Sequence, residues 1–132
     1  MQNRSPILFT ALALCAAACS QQDKKPRLAE AAVVGLWRSD TLPAADAGGR
    51  IYRLEMLSGG TAEFTTEFVG KSTITERGTW DGADSLVRIV VRGSATASRP
   101  TSLLLAIRGN ALGLVQFDTT LWGPAGLTLT RR

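Results

Sequence analysis

From Tyr52 onward the chain alternates with a period of two, and that rhythm excludes most architectures. In Tyr52-Arg53-Leu54-Glu55-Met56 apolar side chains alternate with charged ones. Over residues 62–68, Phe64 and Phe68 share one face while Glu63 and Glu67 share the other. Val87, Ile89 and Val91 alternate with Arg88 and Arg92 in the same way. Successive side chains of a strand point to opposite faces, so each segment reads as a half-buried strand. Turn-forming clusters separate them: Ser58-Gly59-Gly60, Val69-Gly70-Lys71, Asp81-Gly82-Ala83-Asp84 and Arg108-Gly109-Asn110. About eight strands are expected, over 33–39, 50–57, 61–69, 72–80, 86–92, 101–108, 111–117 and 127–131. Short turns at a spacing of roughly ten residues predict an all-β antiparallel meander, closed or nearly closed into a small barrel. Leu103-Leu104-Leu105 and Leu112-Gly113-Leu114-Val115 alternate less cleanly. They read either as strands covered on both faces or as strands that face a partner.

A different pattern governs the first residues. Arg4 is followed by an uncharged apolar run, Ile7 to Ala18, that ends in Ala16-Ala17-Ala18 directly before Cys19. A charged start, a short apolar segment and small residues at the exit describe a secretory signal peptide over 1–18. A spanning helix needs roughly 20 apolar residues, more than this run supplies. Ala-Ala-Ala-Cys resembles the lipobox of bacterial lipoproteins, which implies that Cys19 is lipidated and becomes the mature N-terminus. Two acyl chains anchor durably, at about 0.8 kcal/mol for each buried methylene. Ser20 rather than Asp after the cysteine points, by analogy with enterobacterial sorting, to the outer membrane. The domain would then face the periplasm, with display at the cell surface as the alternative. Residues 19–32, polar and charged around Pro26, read as a flexible tether with a reach of at most ~40 Å. The barrel domain is then expected over 33–132.

The residue inventory narrows the chemistry. The chain has no histidine, and both of its cysteines lie in the N-terminal stretch. A His-dependent triad and a Cys-His metal site are therefore excluded, as is a disulfide within the domain. Glu63 and Glu67 share a strand face, but an i, i+4 pair on a strand stands about 13 Å apart, too far for paired-carboxylate chemistry. Asp81 and Asp84 flank a turn glycine and are explained by the turn. Basic residues are dispersed rather than gathered into the stripe a nucleic acid requires, so the net charge of +4 does not imply such a partner. No catalytic activity, metal or cofactor is expected.

Several motifs occur in a recognisable order. Gly35-Leu36-Trp37 leads to Leu42-Pro43-Ala44-Ala45-Asp46-Ala47-Gly48, then to the turn Gly59-Gly60-Thr61. Phe64 to Lys71 and Gly78-Thr79-Trp80 follow, with Gly109-Asn110-Ala111-Leu112 later and Leu127 to Thr130 at the end. This order resembles the NlpE N-terminal family, outer-membrane lipoproteins of copper resistance and surface sensing. The resemblance is closest from Val34 to Trp80 and implies a lipocalin-like barrel. It also places Ala44 and Ala47 where that family carries its Cys-x-x-Cys pair. Thiolates select copper(I), and an alanine methyl cannot replace them, which argues against copper binding through this loop.

Three functions follow as expectations. The first is a non-catalytic outer-membrane lipoprotein, anchored through Cys19, that serves envelope homeostasis or stress sensing by contact with another envelope protein. The second is a lipocalin-like binder of a small apolar ligand, with Leu54, Phe64, Phe68 and Trp80 as lining residues if they point inward. The third, with no reactive loop to support it, is an inhibitor of a periplasmic enzyme.

Overall fold

The structure, a computed structural model, describes residues 28–92, 101–117 and 119–132. Eight strands run in chain order around one closed antiparallel barrel. They are β1 (Gly35–Ser39), β2 (Arg50–Met56), β3 (Thr61–Phe68), β4 (Thr73–Ala83), β5 (Leu86–Arg92), β6 (Thr101–Arg108), β7 (Ala111–Leu114) and β8 (Thr128–Arg131). Two one-turn helices are added, α1 (Glu30–Val33) before β1 and α2 (Thr119–Trp122) between β7 and β8. The eight-strand meander read from the sequence is therefore the fold, and it is fully closed. β8 pairs with β1 through Trp37 opposite Arg131 and Ser39 opposite Leu129. Among the described residues no strand is left with an open edge.

The interior is filled by the inward side chains. Trp37, Leu54, Met56, Ile89, Leu105, Leu112 and Leu129 are all completely buried. Leu103 and Leu105 point in while Leu104 lies on the outer wall, so β6 follows ordinary alternation rather than being covered on both faces. β7 is shorter than expected because the chain leaves the sheet after Leu114 and runs to α2. That helix stops where Gly123, at φ 75°, donates its N–H to the Thr119 carbonyl. A left-handed glycine is a common helix terminator, and Pro124 prevents continuation.

One end of the barrel is sealed by the segment that precedes β1. Leu28 donates its N–H to Gly82, and Val33 is fully buried, so the packed domain begins inside the stretch read as tether. The Trp37 indole donates to the Val33 carbonyl at 2.8 Å, and the Trp80 indole donates to Leu57 at 2.8 Å. Arg131 donates to the carbonyls of Val34 and Ala32 while its guanidinium lies 4.5 Å over the Trp37 ring. This closed end also receives β2–β3, β4–β5 and β6–β7 turns. The β1–β2 loop and α2 sit at the opposite end, termed open for the recesses that its described residues form.

Candidate functional site

The β1–β2 loop is held at its base by paired hydrogen bonds between Leu42 and Arg50. Gly48 and Gly49 tie its returning limb to Val69 in the β3–β4 turn. Residues 43–47 are thereby folded against the rim, where Ala44, Ala47, Phe68, Arg50 and Lys71 surround a recess of about 360 Å³. A second recess, of about 270 Å³, opens beside it into the barrel mouth and also has Arg50 in its wall. Its apolar surface is aromatic: Tyr52 stacks on Phe64 at 5.4 Å between ring centres, and Trp122 of α2 meets Tyr52 at 5.3 Å. Trp122 therefore forms part of the wall of this recess.

Arg50 was not among the residues singled out from sequence, although a signal for it existed. Arg50, Tyr52, Leu54 and Met56 are on the inward-facing parity of β2, so a charge stands at the head of an otherwise apolar row. Its guanidinium lies 5.6 Å from the centre of the Tyr52 ring. Burial pushes the Tyr52 hydroxyl above its ordinary pKa of 10.0, and the Arg50 charge pulls it partly back. The folded chain thus holds this proton more tightly than the unfolded chain does. The associated stability is intact below pH 10.0 and is lost as the pH rises through the folded value. Tyr52 is the chain's single tyrosine, so tyrosinate absorbance reads it directly. It should ionise later than in the denatured chain, and Arg50→Met should delay it further. A midpoint equal to that of the denatured chain would contradict the buried environment.

The other residues singled out from sequence are scattered. Cys19 lies outside the described residues. Ala44 and Ala47 line the rim recess, where they offer methyl groups and no metal-binding atom. Phe68 faces Arg50 across the β2–β3 pair at the same rim, and Phe64 forms the floor of the aromatic recess. Leu54 is packed in the interior between Trp37 and Phe64. Trp80 belongs to the closed end, where its indole is tied to Leu57. Leu54, Phe64, Phe68 and Trp80 therefore share a parity without sharing a cavity. Among the described residues no group of three or more Asp, Glu, Cys or His is placed to hold a metal ion.

Comparison with known proteins adds the fold's context. No protein-family model matches the chain, and no curated protein matches it by sequence. A solved structure does match, that of a lipoprotein, YedD, from Klebsiella pneumoniae subsp. pneumoniae. The barrel is shared with a bacterial lipoprotein. The likeness covers 82% of this chain and 77% of that one, with a TM-score of 0.54 and 17% sequence identity. At that identity the agreement concerns the fold.

Proposed function

We propose that this chain is a lipid-anchored, non-catalytic barrel of the bacterial envelope, related to the NlpE N-terminal family, that works by contacts at its open end. The observation that carries this reading is the polarity of the barrel. The segment leading back toward Cys19 packs on the closed end, whereas the recesses and the aromatic cluster lie at the open end. An anchor at Cys19 would hold the closed end nearer the bilayer and present the open end to the periplasm. The lipobox resemblance and the fold shared with a lipoprotein support the anchor. The resemblance to the NlpE N-terminal family supports a role in envelope homeostasis or stress sensing, and the chain has no histidine for a His-dependent triad. Copper has no part in this reading, because Ala44 and Ala47 supply only methyl groups to the loop.

The test uses an envelope-stress reporter in cells that carry the wild-type chain, Cys19→Ser, or no copy, together with membrane fractionation. Wild type should incorporate labelled fatty acid and sediment with the outer membrane, and Cys19→Ser should do neither. Reporter output should change when the protein is lost. Output that stays the same with and without the protein would remove the signalling role, and label retained by Cys19→Ser would remove the anchor.

A further inference from the structure

Arg38 on β1 and Arg50 on β2 each carry a buried Nε without an acceptor among the described residues, and of the two only Arg50 lines the recesses. The Nε of Arg50 is enclosed by the protein, so a ligand meets the outer part of the guanidinium. Asp46 and Glu76 are the carboxylates that line the two recesses, and neither forms an ion pair with Arg50. The terminal nitrogens of Arg50 are not buried and form no ion pair among the described residues, so they are the donors that an arriving anion can reach. The planar guanidinium fork is matched by a carboxylate, which takes two parallel N–H bonds from it. Tyr52 fixes the approach by covering one face of the fork.

The surroundings of Arg50 define the rest of a ligand. Toward the barrel axis lies the aromatic recess formed by Tyr52, Phe64 and Trp122. At about 270 Å³ it stands just below the roughly 300–1,000 Å³ of ordinary small-molecule sites. It suits one ring on a short arm, and the packed layer at Leu54 leaves no depth for a long acyl chain. Glu76 is level in register with Phe64, whereas Arg50 is level with Phe68, four residues nearer the rim on β3. A second anionic group reaching inward would therefore meet a carboxylate.

We propose that the open end binds a small monocarboxylic acid with a flat apolar body. Its carboxylate pairs with Arg50, and its body lies against Tyr52, Phe64 and Trp122. Lys71, exposed at the rim of the neighbouring recess, adds a second positive charge on the approach. This inference extends the open-end reading but needs no lipid anchor, so either can fail without the other.

Phenylpropionate and its neutral counterpart phenylpropanamide are suitable probes, used on isotope-labelled chain carrying Cys19→Ser. The three tryptophans supply the readout. Trp37 and Trp80 donate to backbone carbonyls at the closed end and serve as internal references, while Trp122 reports the open end. Phenylpropionate should shift the Trp122 indole signal saturably and leave the other two in place. The amide should bind roughly tenfold more weakly or worse, because it cannot form the charged pair. Arg50→Met should abolish the difference between the two probes. If that variant loses the Trp37 and Trp80 reference signals, the acid and amide compared on the unsubstituted Arg50 chain decide the matter. Equal binding of acid and amide, no saturable shift, or shifts centred on Trp37 or Trp80 would overturn the proposal.

Discussion

Gly78→Ala should destabilise the barrel by at least about 3 kcal/mol, because the added methyl group has nowhere to go. Gly78 lies inward on β4 between Ala62 of β3 and Val91 of β5. A Cβ at this position would collide with the Val90 carbonyl and with the backbone of Val91. Those atoms belong to the adjacent strand, so relief requires β4 and β5 to separate and their hydrogen bonds to lengthen. Glycine within a strand often marks such a close approach, and here it lets the sheet bend tightly enough to close. The contrast is Gly113→Ala on β7, where a Cβ would meet nothing within 4 Å. That change should stay within about 0.5 kcal/mol. Thermal unfolding should separate the two, with a loss of more than about 10 °C for Gly78→Ala. Comparable midpoints would show that the β4–β5 approach is not what Gly78 is there to permit.

Trp37→Ala should cost about 3–5 kcal/mol, the range for deleting a large buried aromatic side chain. Trp37 is completely buried, faces Leu54 across the β1–β2 pair and carries the Arg131 guanidinium on its ring. Its loss should also release the closed end, since its indole holds the Val33 carbonyl. Denaturant titration gives the stability change, and amide exchange gives its location. Val34 donates to Glu30 and Leu28 donates to Gly82, and both amides should lose protection before the strands do. If α1 remains as protected as in the parent, the tryptophan fills volume without pinning the helix. Trp37→Phe separates the two contributions, because it keeps most of the bulk and removes the indole donor.

The barrel was legible because alternation is a property of single strands. Phe64 and Glu63 lie on opposite faces whatever their neighbours are, so composition along eight short segments was enough to indicate the meander. Parity gives the face of a strand but not the height along the barrel axis. Leu54, Phe64, Phe68 and Trp80 all face inward, yet the register sends Trp80 to the closed end and Phe68 to the open rim. Height depends on pairing between strands, which a single segment does not encode. The two helices had weak support in the sequence for another reason. A four-residue helix cannot sustain itself in water, so α1 and α2 exist through contacts that only the finished barrel supplies. Glu30-Ala31-Ala32-Val33 forms a turn because Trp37 donates to the Val33 carbonyl and Arg131 to the Ala32 carbonyl. Arg50 opens the strand expected over 50–57, and its inward parity with Tyr52, Leu54 and Met56 is what marked it as unusual.

The bond from Arg131 to Val34 joins residues 97 positions apart. Closing so long a loop carries an entropic penalty that no local contact offsets beforehand. Arg131 lies in a strand of four residues that completes the ring, and the same residue seats the helix at the opposite end of the chain. During synthesis the first elements therefore wait for the last, and the partly made chain has no finished core to commit to. Such long-range pairing predicts slow, late, all-or-none folding. For a chain threaded unfolded through a membrane, that delay would be an advantage, since the barrel would set only once its final strand had crossed.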